Sequence, residues 1–175
     1  SGGDFIVKPN ATLGPRKIMD YEIVYFPDAN SSVYRVGDQN HALSQGSVIL
    51  TRPHVEHEYR FDRQKAVRHW FIHFNYDRVP SELNILRMEG PDVVQLPEHS
   101  VLPVYMKTLF RNAHRRGDSA AAAMNNAALL LSMLLELQLT TDEPASARNS
   151  AAPPAPLAAA KKFMRSRLGD AELTI

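Results

Sequence analysis

The stretch RPHVEHEYRFDRQKAVRHWFIHF, residues 52 to 74, carries four of the chain's seven histidines: His54, His57, His69 and His73. Imidazoles bind metals, relay protons or supply the polar wall of a pocket, and spacing distinguishes these roles. His69 and His73 lie four residues apart in a run with strand character, which puts their Cα atoms about 13 Å apart. With Zn–N bonds of about 2.0–2.1 Å, both rings can hardly reach one ion. His54 and His57 face opposite ways in an extended chain. A cross-strand pair of His57 with His69, with Glu22 or Glu58 nearby, stays open as a metal site. The chain has no cysteine, which excludes thiolate ligands, disulfides and a cysteine nucleophile.

Alternation along a strand places Val67, His69, Phe71 and His73 on one face and Arg68, Trp70, Ile72 and Phe74 on the other. Both faces carry large apolar groups, so the strand is expected to be covered on both sides. His57, Tyr59, His69 and Phe71 together offer donors, acceptors and a flat apolar wall. That mixture suits a sugar, whose hydroxyls bond imidazole and phenol groups while a ring face stacks on an aromatic plane. Phe26 and His73 complete the candidate effector-binding set. The competing reading is ordinary, hydrogen-bonded structural histidines, and it is strongest for His54 and His73. No catalytic residue emerges. Ser44, Ser47 and Thr51 are near His57 in sequence, but nothing singles one out as activated.

The elements that must position these groups form three regions. Residues 1–97 read as β, with short β-branched and aromatic runs at 21–26, 31–37, 47–51, 57–61 and 67–74. Turn signals separate them, among them Gly37-Asp38-Gln39-Asn40 and Gln45-Gly46. Evenly spaced short strands suggest a sandwich or barrel. Ser1-Gly2-Gly3 has the character of a cloning remnant, and the N-terminus has neither the basic nor the apolar segment of a signal peptide.

Residues 98–140 read as two helices. The first starts near Ser100 or Val101, because Pro103 is tolerated only in a first turn. It carries Val101, Tyr105, Leu109 and Leu102, Met106, Phe110 at helical spacing. Asp118 or Ser119 is the expected N-cap of the second. That helix is apolar nearly all round and must bury two sides. One side is expected to cover the β region. The other is expected to meet a second copy through Leu130, Leu131, Leu134 and Leu137, giving a homodimer. Its length matches a bilayer, but Asn125, Asn126, Ser132, Glu136 and Gln138 would be costly in lipid, so no membrane span is expected.

Residues 141–156, TDEPASARNSAAPPAP, read as a linker. Residues 157–175 begin a new helix with an apolar stripe of Leu157, Ala160, Phe163, Met164 and Leu168, as though a further domain were cut after its first helix. Twenty basic against nineteen acidic residues give a net charge of +1, which removes any whole-chain electrostatic argument for nucleic acid.

The ordered set of motifs resembles the AraC family of bacterial transcription regulators. DYEIVYF (20–26) looks like that family's first core strand. GSVILTRPHVEHEY (46–59) is similar to its Gly-x-x-x-x-x-Pro-Pro-Gly-x-x-His-x-Tyr signature, matched at Gly46, Pro53, His57 and Tyr59. Arg52 and His54 replace the first proline and the glycine. VRHWFIHF resembles its Trp-x-His-x-Trp-x-x-Phe strand, and residues 157–175 look like the opening of a helix-turn-helix DNA-binding domain. The resemblance implies a mainly β protein with C-terminal α structure: a cupin-type jelly-roll barrel followed by an antiparallel helical dimerisation segment. It puts the His69, Phe71 and His73 face inside the barrel. It further implies a cytoplasmic, non-enzymatic sensor of a small effector that needs no cofactor and reaches DNA only through the missing C-terminal domain. The main rival is a metal-dependent cupin enzyme, an oxygenase or sugar isomerase, and a third reading is a purely structural dimerisation module without ligand, which a filled barrel interior would support.

Overall fold

The computed structural model describes residues 1–28, 31–76, 83–115 and 119–142. Nine strands form two antiparallel sheets. The five-stranded sheet has the order β1-β8-β3-β6-β9, from β1 (Gly2–Val7), β8 (Val67–Phe74), β3 (Tyr21–Tyr25), β6 (Ser47–Thr51) and β9 (Val93–Gln95). The four-stranded sheet has the order β2-β7-β4-β5, from β2 (Thr12–Arg16), β7 (His57–Arg60), β4 (Val33–Val36) and β5 (Gln39–Ala42). Chain-distant strands are neighbours in both sheets, as in a jelly roll, and this is a cupin-type barrel. Helices α1 (Leu102–Arg115) and α2 (Ala120–Asp142) follow.

Alternation gives the five-stranded sheet two covered faces. Val24, Phe26, Ile49 and Val67 point inward to meet Tyr34, Tyr59 and Phe61 from the opposite sheet. Ile23, Val48, Leu50, Trp70, Ile72 and Phe74 point outward to Leu102, Met106, Met133, Leu134 and Leu137 of the helices. Each such side chain, fully buried, contributes roughly 1.5–3 kcal/mol. Barrel and helices thus share a core, and Ser1–Asp142 is one compact unit. The helix pair is antiparallel. Ser100 Oγ donates to Glu136 at one end, and Asn112 donates to Asn126 at the other. The Ser119 hydroxyl accepts from the Ala122 N–H and caps α2.

Several expectations need correction. Gly2 and Gly3, expected to lie before the first strand, belong to β1 and pair with Ile72 and Phe71. Gln39 and Asn40, read as turn, begin β5 and pair with Val36 and Arg35. Thr141 and Asp142, assigned to the linker, still belong to α2. Leu134 and Leu137, assigned to a dimer contact, are fully buried on the barrel's outer face, with Leu130 packed beside them. Leu131, Leu135 and Leu139 face outward instead. Among the described residues α2 alone is long and apolar enough to cross a membrane. The remaining linker and the helix expected after it lie outside the described residues.

Two backbone positions explain the signature around β6. Gly46 has φ +81° and donates its N–H to the Phe26 carbonyl. His54 stands where the AraC-type signature has glycine and adopts φ +63°. The left-handed conformation survives there although the glycine is gone, at a cost of roughly 1–2 kcal/mol. Arg52, in place of the first proline, is buried. It donates to Asp92 (2.6 Å) and to the carbonyls of Ile85 (3.0 Å) and Pro91 (3.1 Å), tying the end of β6 to the loop before β9.

Candidate functional site in the barrel interior

The inward faces make two zones. At one end, Glu22 of β3 stands opposite His73 of β8 and Thr51 of β6. Facing them from the other sheet are Arg16 of β2 and His57 of β7, which are themselves register partners. Gly14 makes that register possible. It has φ +108°, and a Cβ there would lie 2.6 Å from the His57 carbonyl oxygen, so only glycine lets β2 bulge against β7 and deliver Arg16 inward.

These groups form one continuous chain of contacts. Arg16 Nη2 donates to both oxygens of Glu22, at 3.0 and 2.8 Å. Its Nε donates to His57 Nε2 at 3.0 Å. With Nε2 accepting, the His57 proton is assigned to Nδ1, which lies 3.1 Å from the Val55 carbonyl oxygen. Glu22 also meets His73 Nε2 at 3.2 Å, and His73 Nδ1 meets Asp20 at 3.0 Å. Asp20, His73, Glu22, Arg16 and His57 are thereby linked from the rim to the interior. Burial pushes the His57 imidazole below its ordinary value.

The second zone is aromatic. The His69 ring lies 5.7 Å from Phe61, 6.0 Å from Phe26 and 6.4 Å from Phe5, all nearly parallel. Tyr59 stacks on Phe61 at 5.9 Å and tilts against Tyr34 at 5.0 Å. Phe71 packs against Phe5 and His73. Three buried polar atoms in this zone have no hydrogen-bond partner among the described residues, the Tyr59 hydroxyl, His69 Nδ1 and the Nε2 of His41, whose ring lies 6.3 Å from Tyr34. The Thr51 hydroxyl is bonded to Tyr34 (3.3 Å) and also lies beside Tyr59, where it offsets part of the rise that burial imposes on that phenol. Burial drives the Tyr59 phenol well above its usual range and the His69 imidazole below its own, so both are neutral at pH 7. Tyr34 is pushed up to about 12, mainly by burial. A buried polar atom without a partner costs about 1–3 kcal/mol, and a ligand that completes the bond recovers it.

The predicted set His57, Tyr59, His69, Phe71, His73 and Phe26 all points to this interior. His57 and His73 sit in the charged zone and the other four in the aromatic zone. His54 is on the surface. Arg16 and half-exposed Phe5 were missed because the glycines and Asp4 of β1 and the Gly14-Pro15 pair of β2 obscure those strands in the sequence. Glu22 entered only as a possible metal neighbour. Its signal was alternation: 22, 24 and 26 share a face, so a carboxylate on the face of Val24 and Phe26 needs an internal partner.

These residues do not fit a metal ion. The His57 Nε2 lone pair accepts from Arg16, and both Glu22 oxygens accept from the same guanidinium. Glu58, on the opposite face of β7, pairs with Arg35 and Arg60. Among the described residues no three histidine, aspartate or glutamate side chains converge as a metal site.

A concavity of about 670 Å³ lies between β1, β8 and the helices, and its walls include Phe5 and His73 of the interior faces with Phe74, Leu109, Phe110 and Leu130. Its polar side chains are engaged, Asp4 with Arg68 and Asn126 with Asn112.

The sequence pattern of the AraC-like ligand binding domain family matches residues 20–134, from the first interior strand to the middle of α2. The chain is an AraC-like ligand binding domain. Matched solved structures include plu4264 protein from Photorhabdus luminescens, at 20% identity and TM-score 0.40, covering 43% of this chain and 62% of that one. A cupin 2 conserved barrel domain protein from Salinispora arenicola CNS-205 is 15% identical, with TM-score 0.39, covering 42% and 61%. Salicylate 1,2-dioxygenase from Pseudoaminobacter salicylatoxidans is 16% identical, with TM-score 0.36, covering 40% and 19%. The AraC-like domain thus spans less than two thirds of each of these chains. No curated protein matches it.

Proposed function

We propose that this AraC-like domain is the effector-sensing part of a cytoplasmic bacterial AraC-type transcription regulator, taking a sugar or sugar derivative inside the barrel. The observation that carries this reading is the pair of unsatisfied, neutral polar atoms, the Tyr59 hydroxyl and His69 Nδ1, on an aromatic wall. A polyol supplies both hydroxyl partners and a C–H face for stacking. The domain acts by binding and not by catalysis. In support, the interior's charged groups bond one another and leave no activated nucleophile or open metal position.

The proposed output passes through β8. His69 and Phe71 face the effector zone, while Trp70 and Ile72 between and beside them face the helices. An effector that binds one arrangement of this strand better than another shifts the helices with it. The assembly is a homodimer formed by the outward stripe Leu131, Leu135 and Leu139 of α2. DNA is reached only through the domain expected after residue 156.

The test is a thermal-shift screen of neutral sugars and their derivatives. Ligand at about 100 times its Kd adds roughly 2.7 kcal/mol of stability. Tyr59→Phe and His69→Leu should fold and lose most of that shift. A shift that both variants retain in full places the ligand elsewhere.

A further inference from the structure

The barrel's charged and neutral polar groups differ in how far they are satisfied. The charged groups of the interior are engaged chiefly with one another. Arg16 bonds both Glu22 oxygens and His57, Glu22 also meets His73, and His73 meets Asp20. Carboxylates outnumber guanidinium groups in this chain of contacts by Asp20 and Glu22 to Arg16. The buried guanidinium of Arg52 is held by Asp92 and two carbonyls near β9, with its Nε left without a partner. Among the described residues, the unpartnered buried polar atoms on the inward faces belong to neutral side chains: the Tyr59 hydroxyl, 2% exposed, His69 Nδ1 and His41 Nε2 beside Tyr34.

A carboxylate brought into this interior would lose its hydration and find no free cation, because Arg16 is already neutralised by Glu22. To take the fork of Arg16 it would have to displace His57 or Glu22 from Nε and Nη2, and the Glu22 side chain, 5% exposed, cannot turn to water in place. A neutral hydroxyl-bearing ligand meets neither obstacle. We propose that the effector is an uncharged hydroxyl compound, and that Glu22, by holding Arg16, is the residue that excludes carboxylate-bearing ligands. This rests on the reading of the barrel interior as the effector site.

The test uses matched pairs differing only in one carboxylate: D-glucose with D-glucuronate, D-galactose with D-galacturonate, and D-xylose with D-xylonate. Binding to the wild-type chain is followed by melting temperature and by fluorescence of Trp70, the chain's single tryptophan. The expected result is that a neutral member binds and its acid partner binds at least about tenfold more weakly. The same pairs are then titrated against Glu22→Gln, which leaves Arg16 without its carboxylate. There the acid member should gain at least about tenfold relative to the neutral one. A merely structural Glu22 would weaken both members alike, and that result would overturn its role in selectivity. An acid member that binds the wild-type chain as well as its neutral partner, or better, overturns the charge inference and leaves the barrel reading intact. Absence of binding by every member overturns the barrel reading and the inference with it. The wild-type comparison is decisive even where Glu22→Gln fails to fold.

Discussion

Arg16 of β2 and Glu22 of β3 join the two sheets through the barrel interior, with guanidinium Nη2 at 2.8 and 3.0 Å from the carboxylate oxygens. The pair is unequally exposed, the Arg16 side chain at 29% and that of Glu22 at 5%. Arg16→Met therefore leaves a buried carboxylate with only His73. Removing one partner of a fully buried pair costs about 3–5 kcal/mol. Because Arg16 is partly solvated, roughly 1–3 kcal/mol is expected. Arg16→Met/Glu22→Leu should recover most of the loss, since neither charge then remains buried. Urea unfolding of the three proteins at neutral pH checks this. A double variant no more stable than Arg16→Met contradicts it.

The buried imidazoles give a pH dependence of defined sign. His57 and His69 both have their folded values depressed below the ordinary 6.5, chiefly by burial. Below 6.5 the unfolded chain binds protons that the folded chain refuses, so stability falls with falling pH. Above 6.5 both states are neutral and this contribution is complete. Unfolding free energy should thus drop between about pH 7 and pH 5. His69→Phe should flatten part of that slope. An equal slope in His69→Phe and wild type would show that His69 takes no part.

The two faces of α2 should respond oppositely to mutation. Leu134 is fully buried against the barrel, so Leu134→Ala should cost about 2–5 kcal/mol in subunit stability. Leu131 is 41% exposed and Leu135 44% exposed. Leu131→Asp/Leu135→Asp should leave the fold intact and convert the dimer to monomer in sedimentation. A wild-type chain that sediments as a monomer at tens of micromolar refutes the homodimer.

Asp62, after β7, accepts N–H bonds from Ser31 (2.9 Å), Gln64 (2.7 Å) and Lys65 (2.9 Å). These bonds hold its carboxyl down at about 2. The stabilisation is complete above the ordinary value of 3.8 and is lost as pH falls through about 2. Asp62→Ala should melt several degrees below wild type at neutral pH. The gap should narrow as the pH is lowered from about 4 towards 2, and a gap that stays constant would exclude the carboxylate as its source.

Strands with β-branched and aromatic runs, YEIVY, SVILT and VRHWFIHF, were legible because the same residues fill both covered faces of the five-stranded sheet. TLGPR and QNHA were not, because Gly, Pro and Asn disfavour a strand, and in GGDFIV two glycines and Asp4 obscure the short run Phe5-Ile6-Val7. They are ordered by the neighbours they pair with, β8, β7 and β4. That difference propagates to the site. Histidines and aromatics on legible strands were found, whereas Arg16 and Phe5 stayed hidden with their strands. In α2 the leucines were legible as core, but their inward and outward faces were not. A helix apolar on every side carries no amphipathic direction, and only the shape of the barrel selects Met133, Leu134 and Leu137.

The most direct test of an effector site inside the barrel is histidine-ring NMR, recorded while a neutral sugar that raises the melting temperature is titrated in. His69 is identified by its loss in His69→Leu. The His69 ring resonances should move saturably with the same Kd as the thermal shift, while surface His54 stays still. Saturable binding that leaves His69 unmoved would contradict an effector site inside the barrel.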